Sequence, residues 1–113
     1  MADYVSPLLP NRVIAVTKDC DLTISLRRRD PQTHAAVDWG VGVGVVIDID
    51  IDRVEPTRVS GVVTGSLSAI RMESAVLNQV KTGTTWRVIM SQPGTPTYET
   101  AVMVGTFERN DGR

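Results

Sequence analysis

One cysteine, one histidine and five aromatic residues in 113 positions leave few groups from which to build a disulfide, a metal cage or a catalytic dyad. A lone Cys20 cannot close a disulfide within the chain, and no Cys/His spacing resembles a zinc site. A disulfide-stapled secreted fold is therefore excluded. Long hydrophobic runs are missing too. The longest uncharged apolar stretch, residues 41–47, falls far short of the roughly 20 residues needed to span a bilayer, and glycines interrupt it. The N-terminus carries Asp3 where a signal peptide would carry basic residues, and no continuous apolar core follows. The product is expected to stay where it is made or to join an assembly there.

Charge of one sign is lacking as well. Twelve Lys and Arg stand against thirteen Asp and Glu, a formal net charge of −1. That balance removes the footprint of a general nucleic-acid binder. What the chain does have is β-branched residues: 36 Val, Ile and Thr, about a third of the sequence. Their stiff χ1 suits a pleated surface, and the length suits one domain with a single core. The expectation is an all-β domain.

Strand patterns follow one another at short spacing. Leu22, Ile24 and Leu26 alternate with Thr23, Ser25 and Arg27, the period of a half-buried strand. In residues 43–52, Val43, Val45, Ile47, Ile49 and Ile51 share one parity, and Asp48, Asp50 and Asp52 fall on the other. One face reads as core and the other as wet. Further strands are expected at 12–17, 59–63, 66–72, 84–91 and 97–108, the last two forming a hairpin about the turn Pro93-Gly94-Thr95-Pro96. Gly61 and Gly65 mark places where the chain could bulge or turn.

Between them, Met72, Val76, Leu77 and Val80 recur at helical spacing. Lys81 and Gly83 suit a helix end, so the spacing predicts one short helix over residues 73–81. About seven strands without βαβ alternation predict an antiparallel β-sandwich, a small barrel being the alternative. The domain is expected over residues 12–109, with an extended N-terminal arm at 1–11 and a polar tail at 110–113. Pro7 and Pro10 mark the arm, and Tyr4, Val5, Leu8 and Leu9 make it more apolar than a linker needs.

Candidate chemistry is sparse. Alternate strand positions put the carboxylates of Asp48, Asp50 and Asp52 on one face about 7 Å apart, too wide for one calcium ion to touch all three. A solvated row whose like charges block edge-to-edge association is the favoured reading, with a contact to a basic partner patch as another. Arg27-Arg28-Arg29 reads as a solvated turn. The run Gly40-Val41-Gly42-Val43-Gly44 leads into a strand rather than opening a helix, which excludes a dinucleotide loop. His34 and Cys20 lack a local partner for nucleophilic catalysis, so no catalytic residue, metal or cofactor is expected. Trp39 and Trp86 read as core or seam packing rather than a sugar platform.

A family pattern then emerges from Gly83-Thr84-Thr85-Trp86-Arg87-Val88-Ile89-Met90-Ser91, Pro93-Gly94-Thr95-Pro96-Thr97-Tyr98-Glu99 and Val104-Gly105-Thr106-Phe107-Glu108-Arg109-Asn110-Asp111. Leu22-Thr23-Ile24 after an acidic turn, Val37-Asp38-Trp39 and the alternating strand from Val43 extend it over residues 11–111. The chain resembles the LtfC-like β-sandwich proteins of actinobacterial phages. That resemblance implies a non-enzymatic virion protein, described in the family as a minor tail component of mycobacteriophage-like siphoviruses. The implied partners are other virion proteins and further copies of itself, without nucleic acid, membrane or small-molecule substrate. The particle, assembled in the host cytoplasm, is the implied location. Capsid decoration, a head–tail connector or a glycan- or host-binding module are the alternatives. Tyr4, Val5, Leu8 and Leu9, then Asp48, Asp50 and Asp52, are the expected contact residues.

Overall fold

The computed structural model describes residues 2–5, 9–30, 32–52 and 54–110, with the backbone course alone for 2–5 and 9–11. Nine strands among these residues form two sheets packed face to face. The four-stranded sheet runs β1 (Ala2–Val5), β3 (Leu22–Arg29), β7 (Leu67–Met72), β6 (Val62–Thr64). The five-stranded sheet runs β2 (Leu9–Val16), β9 (Tyr98–Arg109), β8 (Thr85–Gln92), β4 (Gly44–Ile49), β5 (Thr57–Ser60). This is the expected all-β sandwich.

Its core comes from the parities read in the sequence. Val45, Ile47 and Ile49 of β4 meet Leu26, Ile70 and Met72 of the opposite sheet, with Trp39, Trp86, Val88 and Phe107 filling the middle. Both tryptophans are buried, and Trp86 Nε1 donates to the Thr106 carbonyl at 2.9 Å. Burying such side chains contributes roughly 2–3 kcal/mol each, which is what holds the sheets together.

Two glycines make close approaches possible. At Gly61 the chain leaves the five-stranded sheet as β5 and enters the other as β6, and a Cβ there would lie 2.8 Å from Ile70 Cγ1. The expected turn at Gly61 is this crossing. At Gly105 a Cβ would fall 1.8 Å from the Arg12 carbonyl oxygen, so β2 can lie against β9 only because the side chain is absent.

Three differences from the sequence reading have physical causes. The N-terminal segment is not wholly an arm: β1 lies parallel to β3, and β2, which begins at Leu9, lies parallel to β9. Its pairing partners are distant in sequence and leave no local periodicity. Leu8 and the tail from Asp111 onward lie outside the described residues. The expected antiparallel pairing holds for the pairs among β3 to β9.

The helix exists but is a single turn, α1 (Ser74–Leu77). Beyond it, Gln79 and Val80 donate to carbonyls three residues back, at Val76 and Leu77, so the coil tightens and stops. The buried Arg109 guanidinium donates from Nη1 to the Leu77 and Val80 carbonyls at 2.8 and 3.0 Å, satisfying acceptors that a longer helix would have used itself. The third difference lies on the outer side of β4, where Asp48 is buried instead of solvated.

Candidate functional site

The outer face of the five-stranded sheet holds the acidic row. β4 is an interior strand, and its register sets Asp48 directly opposite Arg58 on β5 and Arg87 on β8. Arg58 donates from Nε to Asp48 Oδ1 at 2.8 Å and from Nη2 to Oδ2 at 3.0 Å, a two-pronged pair. Arg87 Nη2 stands 3.9 Å from the same carboxylate. The Asp48 side chain is only 3% exposed, whereas those of Arg58 and Arg87 are 47% and 36% exposed. Hydrogen bonds from Arg58 hold the Asp48 carboxyl below the ordinary carboxylate range, outweighing the upward push of burial, and the charges of both arginines add to the effect.

This corrects the wet face expected for residues 43–52. Asp48 is roofed by arginines of its own sheet, and a carboxylate so enclosed does not face a partner. Asp50 lies just past the end of β4, accepts bonds from Arg87 Nη1 at 3.1 and 3.2 Å and from the Thr85 hydroxyl, and is half-buried. Asp52 is exposed and accepts the Val54 amide at 2.9 Å. Asp48 and Asp50 thus share Arg87, while Asp52 serves the turn that follows. Among the described residues no cluster of His, Cys, Asp or Glu is placed to hold a metal ion.

The arginine run is also employed internally. Arg28 Nη1 donates to the carbonyls of Asp38 and Trp39 at 3.4 and 3.0 Å, and Arg29 Nη1 to that of His34 at 2.9 Å. Asp30 accepts the amides of Gln32 and Thr33, and the Thr33 and Gln32 bonds lower its carboxyl from the usual value. What reads as a solvated turn is the set of ties that shapes the loop after β3. Cys20 precedes β3 and His34 follows it, so the strand, roughly 23 Å long at its eight residues, keeps them apart. They form no dyad.

A second Asp–Arg pair lies on the other sheet. Asp21 accepts Arg71 Nη2 at 2.9 Å and the Ser74 amide at 2.7 Å, capping α1 from a distant strand end. The Arg71 bond and then the Ser74 amide lower its carboxyl, although the pair stands in solvent.

Arg58, Arg87 and Arg109 are the functional-looking side chains that sequence reasoning passes over. Arg109 had a signal, since it shares the parity of buried Phe107. For Arg58 and Arg87 the signal was the strand register, which a local pattern does not carry.

Beside Arg87 a shallow groove of about 460 Å³ opens on the outer face, walled by Val13, Val104, Thr106 and Asp50, where Gly105 contributes no side chain. Among the described residues no helix is long and apolar enough to cross a membrane.

Fold and site together define a two-sheet β-sandwich domain whose ionic groups mostly brace its own strands and loops. More particularly, the chain belongs to the LtfC-like, beta-sandwich domain family, whose model matches residues 9–110. Among solved structures it is similar to the N-terminal domain of phage TP901-1 ORF48, with a TM-score of 0.63 over 95% of this chain and 93% of that one. At 9% identity this is a likeness of fold. No curated protein sequence matches the chain.

Proposed function

We propose that this protein is a non-enzymatic structural component of a bacteriophage particle, a minor tail protein held by contacts with other virion proteins. The observation that carries the reading is the match of nearly the whole chain to the LtfC-like domain, in a fold shared with a domain of a phage protein. The internal use of the polar side chains supports it. Cys20 and His34 are separated, and Asp48, Asp50, Arg28, Arg29 and Arg109 are bound to neighbours within the chain. A domain so braced suits a rigid spacer.

Contacts are assigned to the N-terminal segment carrying Tyr4, Val5, Leu8 and Leu9. Strand β1 hangs on the edge of its sheet, paired with β3 alone, and strand addition at an edge is a general way to join protein chains. Deleting residues 1–5 removes β1 and keeps every core residue from Val16 onward in the chain. The shortened protein is expected to keep a cooperative melting transition and to be missing from purified particles. Normal incorporation would remove β1, with Tyr4 and Val5, from the interface.

Placement is tested by copy number. Quantitative mass spectrometry of particles should find few copies relative to the major shell protein. A count that matches the shell would move the protein to the capsid exterior, and absence from particles would end the structural reading.

A further inference from the structure

Two open strand edges, one from each sheet, face a common groove. On one side β3 is paired with β7 from Leu22 to Arg27, whereas on the other β1 covers it only from Leu26 to Arg29. Among the described residues, Leu22 to Ser25 therefore have no strand on that second side. β2, at the margin of the five-stranded sheet, is paired with β9 alone. The groove, about 460 Å³, is lined by Arg12 to Ala15 of β2 and Leu22 to Ser25 of β3, together with the core residues Trp86 and Met103. It is the open seam of the sandwich.

An open ladder specifies what completes it. The regularly spaced N–H and C=O groups of a strand edge are matched, apart from water, by another extended backbone. Packed sheets stand about 10 Å apart and paired strands about 4.8 Å, so the space between edges of opposite sheets suits a single extended chain. Side chains then fix the pattern along it. Leu22 and Ile24 pack against the core and alternate with Thr23 and Ser25, and Ile14 of β2 packs there too. A strand beside β3 sends every second side chain onto Leu22, Ile24 and Ile14, so those side chains must be apolar.

Charge supplies the last element. Arg12 shares the parity of Ile14 and buried Val16, is exposed, and has no ion-pair partner among the described residues. It is the one charged residue lining the groove. The acids of the turn before β3 are committed elsewhere, Asp21 to Arg71 and the Ser74 amide and Asp19 to Asn78. Asp3 is in register with Arg27, beyond the open stretch. We propose that the seam takes up one extended segment of a partner protein, paired with the open half of β3 in line with β1, apolar at alternate positions and bearing a carboxylate that meets Arg12. The inference concerns the isolated protein and does not rest on its place in a particle.

The probe is a synthetic peptide of about eight residues alternating valine and aspartate, titrated into the isotopically labelled full chain and followed by amide NMR. Saturable shifts at residues 12–15 and 22–25, with a midpoint on the order of 1 mM, are expected. Methylating the peptide nitrogens of one parity and then of the other keeps the side chains and removes ladder donors; one of the two patterns should abolish binding. A valine–lysine peptide should bind about tenfold more weakly than the valine–aspartate one. Arg12→Glu should reverse that order, and the exposed position of this side chain leaves the fold intact. Absence of shifts up to several times the expected midpoint, shifts centred elsewhere, indifference to both methylation patterns, or an order unchanged by Arg12→Glu would each overturn the proposal. Concentration-dependent shifts of the same amides without peptide would give the seam to a second copy and overturn it as well.

Discussion

Each sheet of the sandwich carries a short Asp–Arg pair on its outer side, and the two pairs differ in surroundings rather than in length. Asp48–Arg58 closes at 2.8 Å and Asp21–Arg71 at 2.9 Å. Yet the Asp48 side chain is almost fully enclosed, under two arginines and between two neighbouring strands, while the Asp21 pair stands in water beside Glu73. An exposed pair exchanges one set of hydrogen bonds for another and is screened by salt. An enclosed carboxylate has no water to return to, so its partner is what makes its burial tolerable. Distance alone would rank these pairs as equals; burial separates them.

Substitution should widen that separation. The largest effect is expected for Arg58→Ala, which leaves Asp48 enclosed with Arg87 no nearer than 3.9 Å. A loss of about 2–3 kcal/mol in urea unfolding is expected, kept below the fully buried limit because water enters where the half-exposed arginine stood. Asp48→Asn keeps the shape and removes the charge, and about 1–2 kcal/mol should go at neutral pH. Asp21→Asn should produce the smallest change, within the scatter of the same measurement. Should Asp21→Asn cost as much as Arg58→Ala, burial is not the property that distinguishes the pairs.

Acid titration sharpens the same comparison. The Asp48 carboxyl is lowered in the folded protein, so its contribution is fully present above the unfolded carboxylate value near 3.9 and fades as pH falls through the lower folded value. The stability gap between the parent and Asp48→Asn should therefore be constant near neutrality and close below about pH 4. A gap that persisted at the acid end would show that Asn is penalised for packing and not for charge.

The same pair marks where local sequence stopped being informative. Alternation along residues 43–52 correctly assigns Val45, Ile47 and Ile49 to the core, because a period of two is a property of one strand. Which residues flank Asp48 is a property of three strands, and Arg58 and Arg87 come into register only once β5 and β8 have paired with β4. Helical spacing likewise finds the apolar side of residues 73–81, burying Leu77 and Val80, but the length of the helix is set partly by Arg109 from the other end of the chain. Prolines at 7 and 10 suggest an arm, whereas the parallel course of β1 and β2 depends on partners 24 and more than 90 residues away. The family resemblance and the sandwich were legible; the ionic architecture of the outer face was not.

Finally, β2 and β9 are parallel neighbours, one near each end of the chain. A load pulling the N-terminal end of β2 away from the C-terminal end of β9 acts along the strands and draws on all their ladder bonds at once, instead of opening them singly like a zip. Parallel pairing of β2 with β9 thus sets that ladder in shear against any load applied between the N-terminal end of β2 and the C-terminal end of β9.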